Sequence, residues 1–223
     1  MSEYNLKQYL KKLGVSKVGF ADVGGIANNF SDLPNGISLV LKIPKKTIGY
    51  IIDENYEQYW RSVHQIMDEL TKISFKGEEY IKNLGYNALA LTMNRNECDM
   101  KKLLSILPYK TIATKSGLGW IGRSALFVTS QYGSAVVLGA ILTDMPLEFD
   151  KPVTDSMCNE CVNCQDACPV DAINSTKWNN KLNRNDIIDI KACSEYVIDL
   201  YKKGLGCSKC MSECKFTLDY LNR

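Results

Sequence analysis

Nine cysteines occur in 223 residues, and eight of them stand in the last third of the chain. Cys158, Cys161, Cys164 and Cys168 follow the pattern Cys-x2-Cys-x2-Cys-x3-Cys, closed by Pro169. In that spacing three thiolates hold one 4Fe–4S cluster and the fourth reaches across to a second. A second cluster demands four further thiols, and Cys193, Cys207, Cys210 and Cys214 supply them, the last three as Cys-x2-Cys-x3-Cys. Soft thiolate ligands suit iron–sulfur cubes, whose chemistry is one-electron transfer. By the crossed pattern, Cys158, Cys161, Cys164 and Cys214 form one ligand set, and Cys168, Cys193, Cys207 and Cys210 the other. The crossing ties the two ends of the tail together.

Other readings of these thiols are weaker. Zinc ribbons separate two Cys-x2-Cys knuckles instead of running three cysteines in sequence. A disulfide framework needs an oxidising compartment, and the chain opens on an amphipathic spacing (Leu6, Tyr9, Leu10, Leu13) with no secretory signal. A purely structural pair of clusters is the third alternative. Cys98, the ninth cysteine, stands alone among polar residues and reads as an inert thiol, with a cofactor or substrate contact as the alternative. His64 is the sole histidine, and no Ser/His/Asp or Cys/His set assembles around it. A glycine-dense run, Ser116-Gly117-Leu118-Gly119-Trp120-Ile121-Gly122-Arg123, meets the bare Gly-x-Gly-x-x-Gly pattern. It lacks the preceding strand and following helix of a dinucleotide fingerprint. Such glycines mark a close backbone approach to something flat or bulky, or a tight turn with no ligand. Arg123 offers a cation to an anionic cofactor or substrate, or forms a surface salt bridge.

The elements that must position these residues follow from periodicity. A first helix ends near Gly14, Val15–Asp22 alternates as a strand, and Ile37–Ile43 reads as a second strand stopped by Pro44. Tyr56, Tyr59, Trp60, Val63, Ile66, Met67, Leu70 and Ile73 share one face of a long helix with Asp53 as its N-cap, and a further helical piece runs to Asn83 with Gly85 as its stop. Asn87–Thr92, Ala125–Thr129 and Ser134–Leu142 read as strands and Met100–Leu107 as a short helix. The expected fold is α+β/α/β, with a domain over 1–150 and a cysteine-rich domain over 151–223. The second is too small to stand without a metal staple. A net charge of +2 announces no nucleic-acid partner, and no stretch is long enough to span a membrane. A cytoplasmic home is expected.

A wider pattern carries a resemblance. Ala113-Thr-Lys-Ser-Gly-Leu-Gly-Trp-Ile-Gly-Arg-Ser-Ala-Leu-Phe-Val-Thr129, Tyr132-Gly-Ser134, Leu138–Asp144, Val18–Asp22 and Ile37–Pro44, with the order of the eight cysteines, resemble epoxyqueuosine reductases. The likeness runs from about Val15 to Cys214. It implies a cobalamin-dependent iron–sulfur reductase that removes the epoxide oxygen of epoxyqueuosine in tRNA, in queuosine biosynthesis, built like the reductive dehalogenases. It further implies a nitroreductase-like, corrinoid-binding α/β sandwich followed by a bacterial two-cluster ferredoxin-like domain. An external low-potential donor would feed the clusters, and Ser116–Arg123 would lie against the corrinoid. The chain departs from the family at the upstream aspartate proposed as proton donor, at Gln58-Tyr59-Trp60 in place of Asp-Tyr-His, and at Cys214-Lys215 in place of Cys-Pro. It stops nine residues after Cys214, short of the helical repeats that grip tRNA in full-length enzymes. The rival expectation is therefore a non-catalytic electron carrier or reductive activator of another corrinoid protein.

Overall fold

The computed structural model describes residues 3–27, 32–92, 98–99, 104–105 and 107–223. The chain divides into two compact units. One comprises Met1–Leu41, Met67–Leu118 and Val137–Val153; the other comprises Lys42–Ile66, Gly119–Val136 and Thr154–Arg223. This partition differs from a division at residue 150, because residues 42–66 and 119–136 group with the cysteine tail.

In the first unit, helix α1 (Glu3–Lys12) buries Leu6 and Leu10 completely, one turn apart on one face. It ends at Gly14, whose φ of 105° an L side chain rarely adopts. Strand β1 (Lys17–Asp22) leads through a single turn, α2 (Gly24–Ala27), to β2 (Asn35–Lys42). The two strands pair antiparallel from Lys17↔Val40 to Asp22↔Asn35. Gly36 to Leu41 are all buried, so both faces of β2 are covered and its sequence reads as a continuous apolar run.

Helices α3 (Lys45–Ile52) and α4 (Tyr56–Asn83) follow. Next come β3 (Ala88–Leu91), β4 (Cys98–Asp99), β5 (Leu104–Ser105) and α5 (Tyr109–Lys115), then β6 (Trp120–Ile121), β7 (Phe127–Val128) and β8 (Val136–Thr143). The main sheet has the order β1-β2-β8-β3, with β3 antiparallel to β8 from Ala88↔Thr143 to Leu91↔Ala140. Gly77 on α4 and Gly139 on β8 leave room for helix-on-sheet packing: a Cβ at Gly77 would lie 2.5 Å from Ile141 Cδ1, and one at Gly139 3.2 Å from Leu70 Cγ.

Both edge strands are blunted. Phe20 donates its N–H to Asp150 Oδ2 (2.8 Å) and accepts from the Asp150 N–H (3.0 Å) on β1. Ala90 N–H on β3 donates to Glu78 Oε2 (2.8 Å). Partnered edges do not template further strands.

The second unit holds α3, the first turns of α4, the β6–β7 hairpin (Trp120↔Val128, Ile121↔Phe127) and the tail. The tail is built from α6 (Asn163–Asp166), a 3-10 turn at Arg184–Asp186, α7 (Ile190–Tyr201), α8 (Lys209–Ser212) and α9 (Lys215–Leu221). Asp189 caps α7, accepting from the Lys191 and Ala192 N–H groups at 3.0 Å each.

Four expectations are corrected. Asp53 closes α3, and Asn55 starts α4, its Oδ1 accepting from the Gln58 N–H at 3.2 Å. The Ala125–Thr129 strand shrinks to Phe127–Val128 because Ala125 turns at φ 56°. Leu104–Ser105 pair with Cys98–Asp99 as a strand where a helix was expected; the rest of Met100–Leu107, save Leu107, and the Cys98 side chain lie outside the described residues. Met67, expected on the apolar face of α4, is 37% exposed. Among the described residues no helix is long and apolar enough to cross a membrane.

Candidate iron–sulfur centre

The cysteine ligands are presented by tight turns and first helical turns of the second unit. Cys161 N–H donates to the Cys158 carbonyl at 3.1 Å, closing a turn that Asn159 enters at φ 48°. Cys164 sits in α6, and the Cys168 N–H donates to Gln165 O at 3.0 Å, so all four thiols of the run project from two consecutive turns. Cys168 Sγ accepts from the Ala172 N–H at 3.3 Å. Cys193 lies on α7, Cys210 on α8, and Cys214 opens α9, its carbonyl accepting from the Thr217 and Leu218 N–H groups at 2.8 and 2.9 Å. Next to Cys207, Gly206 allows the backbone to approach the ring of Trp60; a Cβ there would lie 2.9 Å from Cε3. Tyr59 Oη donates to Ser208 Oγ at 2.6 Å and pins the same loop.

Cys158, Cys161, Cys164 and Cys214 line one cavity, with Arg123 and Phe216 in its wall. Burial pushes the Cys164 thiol up from its ordinary 9.0 to about 11, and the neighbouring Cys158, Cys214 and Cys161 add to the rise. Burial likewise raises Cys210 well above the thiol range, reinforced by Cys207, Cys164, Cys193 and Cys168. Cys207 is raised by burial and by Cys168, against a backbone hydrogen bond that lowers it. These neighbours sort the thiols into two adjoining groups, meeting at Cys164 and Cys210. All eight are thiols, half-buried, with none joined in a disulfide. A metal centre among crowded, half-buried thiols supplies positive charge that favours their ionised form.

Among the described residues, no group of three or more His, Cys, Asp or Glu side chains is placed to hold a single metal ion. A structural zinc draws its thiolates to about 2.3 Å of one centre, whereas a cube spreads four of them over four irons. The four soft thiols that line one cavity fit the donor set of a 4Fe–4S cluster.

The glycine run has a different setting from the one expected of a cofactor platform. Ser116, Leu118, Gly119, Trp120, Gly122 and Arg123 are buried; Gly117 is exposed and Ile121 half-buried. Ser116 ends α5, its Oγ donating to Ile112 O at 2.6 Å, and Gly117 turns at φ 68°. A Cβ on Gly119 would run into the Val128 carbonyl, and one on Gly122 would lie 2.9 Å from Val128 Cγ2 and 3.6 Å from Cys158 Sγ. Trp120 packs edge-on to Phe216, with centroids 4.9 Å apart at 75°. Gly117 and Ile121 are the residues of this run that solvent reaches most. Arg123 forms no surface salt bridge; Nη1 donates to the Ser175 carbonyl and Nη2 to the Asn159 carbonyl (2.8 Å). His64 packs edge-on against Trp60 at 4.0 Å.

Sequence reasoning missed Asn159, Ser208 and Phe216. Only an asparagine inside the Cys-x2-Cys turn carried a signal, since that residue tolerates positive φ.

Fold and site together define a mixed α/β protein with an eight-thiol centre. No protein-family profile matches the chain. An epoxyqueuosine reductase of Aliivibrio fischeri is 31% identical over 138 residues, covering 61% of this chain and 31% of that protein. The crystal structure of an epoxyqueuosine reductase with an epoxyqueuosine-modified tRNA-Tyr stem loop superposes with a TM-score of 0.66 at 18% identity, over 97% of this chain and 65% of that one. A reductive dehalogenase whose structure suggests a mechanism for B12-dependent dehalogenation superposes at 0.66 and 15% identity, over 97% and 32% of the two chains. The chain spans about a third of the length of the curated relatives it matches, 31% in the Aliivibrio case. By sequence the chain is similar to epoxyqueuosine reductases, and by fold to epoxyqueuosine reductases and reductive dehalogenases.

Proposed function

We propose that this chain is an iron–sulfur oxidoreductase with two 4Fe–4S clusters, passing electrons to a corrinoid to reduce an electrophilic substrate. Cys158, Cys161, Cys164 and Cys214 would hold one cluster, and Cys168, Cys193, Cys207 and Cys210 the other. The observation that carries this reading is the convergence of the first four thiols on one cavity. The proposed arrangement is a nitroreductase-like cofactor and substrate domain over 1–150 and a ferredoxin-like domain over 151–223, working in the cytoplasm with an external low-potential donor. When bound, the clusters supply one-electron transfer. The chain's own part is to hold thiolates in dry turns and to keep water from them by burial. Epoxyqueuosine in tRNA is the first substrate to assay, because that is what the matched relatives are named for.

Anaerobically purified protein tests this reading by iron, sulfide and cobalt analysis and by titration with cobalamin. Two cubes' worth of iron and sulfide, a cobalamin spectral change, and queuosine formed from epoxyqueuosine-containing tRNA with reductant are the expected results. Absence of sulfide would end the proposal. Clusters without any cobalamin binding would favour the second reading, a non-catalytic electron carrier or reductive activator of another corrinoid protein. Burial of six of the eight residues of Ser116–Arg123 is the observation on its side.

A further inference from the structure

We propose that Arg123 is a positioning residue of the first cluster, clamping its ligand loop and setting a buried positive charge that makes this cluster the more easily reduced of the two. The inference rests on the two-cluster reading above and goes beyond it by ranking the clusters.

Three observations carry it. First, Arg123 is only 4% exposed and stands in the wall of the cavity lined by Cys158, Cys161, Cys164 and Cys214. Second, its guanidinium bridges two segments that the cluster must hold in register. Nη2 donates to the carbonyl of Asn159, inside the Cys158–Cys161 turn, and Nη1 to the carbonyl of Ser175, beyond the Cys168 ligand. Both partners are neutral carbonyls, so no carboxylate hydrogen-bonded to the guanidinium cancels its charge. Third, Nε is buried with no hydrogen-bond partner in the protein. A buried cationic N–H left without a partner is costly, and an anionic centre in the adjoining cavity would offset that cost.

The other charges at this site are exposed. Lys215 also lines the cavity but is solvent-exposed. Glu160, in the Cys158–Cys161 turn and within electrostatic reach of Arg123, is exposed and hydrogen-bonded to Lys177. Water screens both of these far more than the buried guanidinium. Around the second thiol group the cation acting on Cys207 is Lys209, which is half-buried, less deeply than Arg123. Four thiolates bring more negative charge than the core neutralises, and each added electron increases it. A desolvated cation against one cube therefore favours reduction of that cube over the other.

The test is an anaerobic redox titration of the full chain followed by electron paramagnetic resonance, on the native protein, Arg123→Gln, Arg123→Lys and Lys215→Gln. Native protein is expected to show two resolved reduction steps. In Arg123→Gln the higher step should move down by about tenfold in the reduction equilibrium, or about 59 mV for one electron, with the lower step unmoved and iron per chain retained. Lys215→Gln should move neither. Unchanged steps in a fully loaded Arg123→Gln, or equal movement of both, would overturn the proposal. If Arg123→Gln loads no first cluster, Arg123→Lys decides. A loaded Lys variant whose higher step stays near the native potential supports the role of charge, and a fall as large as expected for Gln overturns it. A native protein lacking iron and sulfide refutes the cluster reading itself, an outcome distinct from either.

Discussion

Cys161 closes a turn through its own N–H to the Cys158 carbonyl and offers its sulfur to the cavity shared with Cys158, Cys164 and Cys214. Its replacement by Ser removes a soft ligand and leaves one corner of the proposed cube unsupported. Iron per chain should fall toward that of a single cube, measured colorimetrically on anaerobic protein; unchanged iron would contradict the assignment. Gly119 bears a different prediction from the one its place in a glycine-rich pattern suggests. A side chain there meets the Val128 carbonyl, so Gly119→Val should destabilise the β6–β7 hairpin by about 1–3 kcal/mol. A denaturant titration checks this, and native stability would show the turn to be looser than it looks. The thiols add a pH dependence in the cluster-free protein. Because burial raises Cys164 from 9.0 to about 11, the folded state holds that proton longer than the unfolded state. Stability is then full below about pH 9 and lost as pH rises through about 11. Thermal melts of apoprotein across that window should fall with rising pH, and a flat profile would exclude the effect.

Helix α4 shows what an element inherits from its sequence. Its 28 residues follow a sustained apolar period, and its existence was readable from that period alone. Its start was not. Asp53 and Asn55 are both good caps by type, and only the Asn55 Oδ1 bond to Gln58 N–H separates them. The two-residue strand β6 was unreadable for another reason: two residues carry no period, and β7 was read only as part of the longer Ala125–Thr129 run. Element-scale packing also turns on Glu78, a buried α4 carboxylate that accepts from Ala90 N–H on edge strand β3 and from Lys82. Glu78→Ala strands that N–H and should cost about 1–3 kcal/mol. The expected signature is a lower urea midpoint with an unchanged slope and faster exchange at the Ala90 amide. Protection at Ala90 equal to native would mean that water replaces the carboxylate at no cost.

At the scale of the whole chain, two compact units differ in how they are held. The first is organised on a four-stranded sheet with apolar residues buried on both faces of β2. The tail buries few large apolar side chains, among them Ile173, Trp178, Ile187, Ile188 and Met211, and by composition needs a staple. Anaerobic removal of iron by a chelator should strip amide protection from 154–223 while leaving the β1-β2-β8-β3 sheet protected, as read by hydrogen exchange. Uniform loss across both units would show a single cooperative structure instead.

The eight thiols and their grouping into runs were determined by sequence alone, because ligand spacing within a turn is a local, covalent property. Helices α1 and α4 and strands β1, β2, β3 and β8 were legible too, from the spacing of their apolar residues. Tertiary structure decided where the glycine run and Arg123 pack. The guanidinium reaches Ser175, 52 positions along the chain, and Gly122 makes room beside Cys158 Sγ. Those encounters join segments remote in sequence, and no local pattern records which distant backbone a buried side chain will meet.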